Sequence, residues 1–132
     1  MPNDFLGLFE DSAEAVSLNP GQYLFQEGDP ATGFYVVKSG ELQIVSGNHV
    51  FETVGKGGIV GEMALVDGGK RSAAVRAITP SQVIPLDEKR FLFMVQQTPH
   101  FALRVMKVMS ARLRAMNERA RTMPETGTTG TV

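Results

Sequence analysis

The sequence has no cysteine and no tryptophan, only two histidines, and no long apolar run. Without cysteine there is no disulfide framework, no thiolate metal site and no cysteine nucleophile, and the redox compartment is left open. His49 and His100 have no metal-ligand spacing to each other or to a carboxylate pair, so a jelly-roll metalloenzyme of the His-x-His type has no support. A Gly-x-Ser-x-Gly elbow, a Walker loop and a Gly-x-Gly-x-x-Gly turn between strand and helix are also missing. No enzyme class is visible, and neither a metal nor a cofactor is expected. The stretch FLGLF near the N-terminus is too short to span a bilayer and runs straight into Glu10 and Asp11, which no secretory segment tolerates so soon. The expectation is a soluble, cytoplasmic protein.

What is present is enough for one domain: 132 residues bury a core without staples. The net charge of −1 conceals an asymmetry. Residues 1–99 hold 7 basic against 12 acidic residues, whereas Arg104, Lys107, Arg112, Arg114, Arg119 and Arg121 are opposed within 100–123 only by Glu118. A basic segment suits nucleic acid or an anionic surface, but no aromatic platform or second recognition element accompanies this one, so a solvated helix face is expected.

Eleven of the 14 glycines lie between Gly21 and Gly69, spaced through short segments rich in Val, Ile, Phe and Tyr. That rhythm predicts many short strands joined by tight turns. Glu41-Leu42-Gln43-Ile44 alternates polar and apolar, while Phe34-Tyr35-Val36-Val37 is apolar on both faces and reads as buried. HVFETV, SAAVRAI and QVIPL supply further strands, with Pro85 pointing to an edge or a strand end. The fold class is therefore mainly β with flanking helices: an antiparallel sandwich or barrel over about residues 18–86 in a domain of residues 1–123. Asp4 to Val16 offers one or two amphipathic turns with Phe5, Leu8 and Phe9 on one side. Asp87 is a good N-cap for a helix over 88–97, and Thr98-Pro99 restarts the chain as N-cap and first residue of a helix over 99–122. The small, polar tail 124–132 reads as disordered. Along the last helix Met106, Met109, Leu113, Met116, Ala120 and Met123 are spaced 3-4-3-4-3, the seam of a coiled coil over about two and a half heptads. The stripe fits a homodimer or packing on the chain's own sheet.

The residues that carry chemistry lie in Gly61–Val75, GEMALVDGGKRSAAV. Gly61 lets the backbone approach a ligand and opens a short helical turn through Glu62-Met63-Ala64-Leu65, whose free N–H groups suit an anion. Glu62 can accept hydrogen bonds from a sugar hydroxyl. Arg71 offers a planar fork for phosphate oxygens, joined by the Ser72 hydroxyl and the amides that follow. The pair fits a nucleotide; the alternative is a structural Glu62–Arg71 ion pair. Neither side chain is expected to carry core packing, so Glu62→Gln should leave the fold intact.

The string GEMALVDGGKRSAAVRA closely resembles the phosphate-binding cassette of cyclic nucleotide-binding domains, as in bacterial catabolite activators and in cyclic-nucleotide-dependent kinases and channels. The likeness extends upstream through GQYLFQEGDPATGFYVVKSGELQI and downstream to the paired helices, over about residues 5–121. It implies that the sandwich is an antiparallel β-roll or jelly roll, and a sensor domain in which Glu62 holds the ribose 2′-hydroxyl, and Arg71, Ser72 and Ala73 hold the cyclic phosphate. Gly61 and Met63 would lie along the sugar side and Val75, with other apolar roll residues, along the base, and Ala64 is a further expected ligand-binding residue. The last helix would cap the purine near Met116 and Asn117. Position 74 is Ala where the family often has a hydroxyl or a bulkier side chain, so one contact is expected to be missing. Ser72 is compatible with the adenosine or guanosine 3′,5′-cyclic monophosphate, and the likeness to catabolite activators favours the first. No helix-turn-helix accompanies the domain, so DNA binding by this chain alone is not expected. A degenerate roll acting as a dimerising adaptor through 101–123 is the competing reading, and a metal-dependent jelly-roll enzyme a more distant one.

Overall fold

The apolar-on-both-faces character of residues 34–37 has its reason in the layering. The computed structural model describes Phe5, residues 14–67 and residues 69–122. In chain order the strands are β1 (Val16–Leu18), β2 (Tyr23–Phe25), β3 (Gly33–Ser39), β4 (Leu42–Ser46), β5 (His49–Val54) and β6 (Ile59–Val60). A short helix α1 (Ala64–Asp67) precedes β7 (Ala74–Ala77) and β8 (Ser81–Asp87), and α2 (Glu88–Gln97) and α3 (His100–Thr122) follow. Two antiparallel four-stranded sheets form, in the orders β1-β8-β3-β6 and β2-β7-β4-β5. The fold is thus mainly β, as the glycine rhythm and strand patterning point to, and of the sandwich and the barrel left open by that pattern it is the two-sheet sandwich, the roll that the family resemblance implies.

Two apolar clusters divide the core. Val37, Val60 and Val83 of the first sheet meet Phe25, Leu42, Ile44, Val54 and Val75 of the second inside the roll. The opposite face of the first sheet, carrying Phe34, Val36, Ile59, Ile84 and Leu86, is covered by Phe101, Val105, Val108 and Met109 of α3 together with Phe5. Strands β3 and β8 therefore bury both faces and cannot alternate. Each fully buried apolar side chain contributes about 1.5–3 kcal/mol relative to exposure. Pro85 sits inside the sheet order yet past the end of β1, which pairs β8 only from Ser81 to Val83. Its missing N–H costs no ladder bond on that flank.

The helices follow their local signals. Asp87 is extended and its carboxylate accepts from the Arg90 amide at 2.8 Å, the N-cap arrangement. The Thr98 carbonyl accepts from Phe101 N and the Pro99 carbonyl from Ala102 N, so the Thr98-Pro99 pair does turn the chain into α3. Of the turns expected over 4–16, Phe5 is buried and its amide donates to Gly57 O, while Val16 already belongs to β1. Leu8, Phe9, Met123 and the tail 124–132 lie outside the described residues.

The methionine stripe of α3 is split. Met109 is buried in the outer core and Met116 turns toward the roll, whereas Met106 is 53% and Leu113 48% exposed. Phe101, Val105, Val108, Met109, Arg112 and Met116 form the face that the chain itself covers. Among the described residues no helix is long and apolar enough to cross a membrane.

Candidate functional site

Strand β6 ends at Val60, and the chain leaves it through Gly61 at φ +84°, a left-handed conformation that side chains rarely adopt. A Cβ at this position would also meet Arg71 Nη1 at 2.8 Å. Only glycine satisfies both demands. The turn that follows is closed on itself: the amides of Ala64, Leu65 and Val66 donate to the carbonyls of Gly61, Glu62 and Met63. Of the amides expected to be free in this turn, those of Ala64 and Leu65 are already spent in i→i+3 bonds, whereas those of Glu62 and Met63 donate to no backbone carbonyl among the described residues.

Arg71 enters from the loop between α1 and β7, and its amide donates to Asp29 O. Its side chain is folded inward at 7% exposure, with the guanidinium carbon 4.0 Å from the centre of the Phe25 ring. Nη1 donates to Gly33 O at 2.6 Å and Gly61 O at 3.2 Å. Nε is buried and has no hydrogen-bond partner. One end of the fork is therefore anchored by the backbone, and Nε is left as a buried donor without an acceptor. Burial holds the Arg71 pKa below the ordinary arginine value, with partial offsets from Tyr35, Asp29 and Glu62. An arginine so lowered is still a cation at neutral pH. Next to it Ser72 is exposed, and the amides of Ser72 and Ala73 donate to no carbonyl among the described residues.

Glu62 does not pair with Arg71. It is 2% exposed, and its Oε1 accepts from Arg112 Nη1 of α3 at 2.6 Å. The same guanidinium donates through Nε and Nη2 to both oxygens of Glu52 on β5, at 2.9 and 3.1 Å. Burial opposes the charge on Arg112, but the hydrogen bonds and charges of Glu52 and Glu62 outweigh it and raise its pKa. The structural Glu62–Arg71 ion pair is thus replaced by a Glu52–Arg112–Glu62 cluster. The expectation that Glu62 carries no packing is also corrected, since the carboxylate is buried and removing it unpairs a buried cation.

These groups line a small cavity of about 30 Å³ between the roll and α3, which α3 must vacate in part before a ligand larger than a water can enter. Eight of the nine residues expected at the site, Gly61, Glu62, Met63, Ala64, Arg71, Ser72, Ala73 and Val75, are brought together on its wall. Asn117 is not among them and is exposed; its neighbour Met116 lines the cavity instead. Phe25, Ile44 and Arg112 also line it and were not singled out from the sequence. Phe25 and Ile44 look like ordinary core residues of strands, and Arg112 is one of six basic residues along its segment. The wall has a cationic end at Arg71, a carboxylate at Glu62, and an apolar side at Phe25, Ile44, Val75 and Met116. Such a wall suits an anion attached to a hydroxylated ring and a flat apolar group. Among the described residues no cluster of His, Cys, Asp or Glu can hold a metal ion.

The sequence model of the cyclic nucleotide-binding domain family matches residues 15–98. A lysophospholipase nte1 of Neurospora crassa is 30% identical over 107 residues, which cover 77% of this chain and 7% of that protein. The chain thus spans a small part of the curated relative it matches. Among solved structures, the catabolite activator protein of Thermus thermophilus superposes with a TM-score of 0.72 at 23% identity, over 86% of this chain and 61% of the other. The EAL enzyme Bd1971 in its cGMP-bound form gives a TM-score of 0.58 at 30% identity, over 76% of this chain and 28% of the other. The cAMP-bound form of the same enzyme gives 0.59 at 28%, over 82% and 30%.

Proposed function

The chain belongs to the cyclic nucleotide-binding domain family, and from that premise we propose that it is a cytoplasmic, non-catalytic sensor whose ligand is 3′,5′-cyclic AMP in preference to cyclic GMP. The phosphate is held by Arg71, the Ser72 hydroxyl and the amides of Ser72 and Ala73. Glu62 accepts the ribose 2′-hydroxyl, Gly61, Met63 and Ala64 flank the sugar, and Val75 with Phe25, Ile44 and Met116 encloses the base. Asn117, exposed one residue beyond Met116, reaches the base only if α3 moves.

The observation that carries the reading is the Arg71 fork. A buried guanidinium fixed at Nη1 by two carbonyls and unpartnered at Nε leaves a donor in low dielectric, a cost of about 1–3 kcal/mol that an acceptor oxygen relieves. A phosphate supplies oxygens in the geometry that a guanidinium edge favours. Two elements of the same wall link ligand to output, because Arg112 and Met116 belong to α3. A ligand that binds one placement of α3 better than another shifts the population toward it. The exposed Leu103, Met106 and Leu113 of α3 suit a homodimer through that helix, and the effector that reads the change is a protein contacting it. The domain spans 1–123.

Isothermal titration with cyclic AMP and cyclic GMP tests the reading. Micromolar or tighter binding, stronger for cyclic AMP, is the expected result. No heat with either nucleotide at millimolar concentration would favour a dimerising adaptor that has lost its ligand.

A further inference from the structure

Position 52 breaks the pattern of the roll. Glu52 pairs with Ile44 across β4 and β5, one step from the pair Leu42–Val54 on the same face. Leu42, Ile44 and Val54 are all buried in the inner core. Glu52 shares that face, but its side chain is 44% exposed, so it stands at the open rim of the edge strand rather than in the core. Register slips between the Ile44–Glu52 and Val45–Val50 pairs, and an irregularity of this kind re-aims a side chain.

What uses Glu52 is Arg112. The side-on edge of the guanidinium, Nε and Nη2, meets both Glu52 oxygens, a two-point contact that fixes the plane of the fork. The remaining donor, Nη1, is then directed at one oxygen of Glu62. Through Nη1 alone Arg112 could swivel about that single contact. The second oxygen of Glu62 accepts from no donor among the described residues, so the arrangement presents one fixed carboxylate oxygen to the cavity.

Resting on the nucleotide reading above, we infer that Glu52 is a positioning residue for sugar recognition: it orients Arg112, which in turn holds Glu62 with its free oxygen toward the ribose 2′-hydroxyl. Glu52 itself touches no ligand. Its effect falls on the hydroxyl contact and leaves phosphate and base contacts alone.

The test compares 3′,5′-cyclic AMP with its 2′-deoxy counterpart by calorimetry, on the wild-type chain and on Glu52→Ala and Glu52→Gln, with melting curves as a control for folding. The wild-type chain should prefer the ribose form by about tenfold or more, the range for a hydrogen bond to a charged group. Glu52→Ala should weaken the ribose form and leave the deoxy form within about twofold, so that most of the preference disappears; Glu52→Gln, which keeps one acceptor, should fall between. General destabilisation would lower both ligands together and keep the ratio. An unchanged ratio in Glu52→Ala overturns this inference while the nucleotide reading stands. Equal wild-type affinity for the two ligands overturns the role of Glu62, and no wild-type binding overturns the nucleotide reading itself; either result overturns this inference too.

Discussion

At the scale of single residues, Glu62 and Arg71 stand in opposite states. Arg71 keeps a donor unpaired in a buried place, a condition that favours ligand over empty site. Glu62 is paired through Oε1 with Arg112, and its burial makes that pairing costly to lose. Glu62→Gln should therefore lower stability by about 1–3 kcal/mol, because Arg112 loses half of its compensation while retaining Glu52. Urea denaturation checks this; a variant as stable as the parent would show the cluster to be inert. Gly61→Ala should be worse for binding than its one methyl suggests, since it strains a left-handed backbone and pushes on the anchored end of Arg71. Titration of that variant should show at least a tenfold weakening, and wild-type affinity would contradict the packing.

The residue types were legible in the sequence, but the pairing was not. Glu62 and Arg71 are nine positions apart and of opposite charge, so an ion pair between them is the natural reading. The true partner, Arg112, lies fifty positions away. Nothing local separates it from Lys107 or Arg114 on the same helix; only the crossing of α3 over the roll does.

At the scale of elements, the strands and the helix boundaries were readable because their signals are local: glycine turns, the Asp87 cap and Thr98-Pro99. The covered face of α3 was not. A period near 3.6 identifies a helix and its stripes, but α3 carries two overlapping stripes that share Met109 and Met116, and only packing shows that Met106 and Leu113 fall outside the covered one. The consequence is testable by contrast. Phe101→Ala, in the outer core and fully buried, should cost about 3–5 kcal/mol of folding stability. Leu113→Glu should leave the melting temperature close to the parent's, because its side chain is half exposed, and should shift sedimentation from dimer to monomer. Unfolding of Leu113→Glu would mean that the stripe packs within the chain after all.

At the scale of the whole molecule, the roll has two cores with one sheet between them, and the cavity lies where the second sheet, the cassette and α3 converge. That position lets one ligand touch the roll through Arg71 and the last helix through Met116 and Arg112. Such a ligand also stabilises the folded chain by mass action, by about 2.7 kcal/mol at a hundredfold excess over Kd.

The measurement that bears most directly on the central claim is calorimetric titration of the wild-type chain and of Arg71→Ala with cyclic AMP, side by side. The expected result is saturable binding to the wild type and a loss of about 2–3 kcal/mol in Arg71→Ala, the magnitude for a charge-assisted hydrogen bond removed from a buried anion. A loss under about 0.5 kcal/mol would contradict the assignment of the phosphate to Arg71.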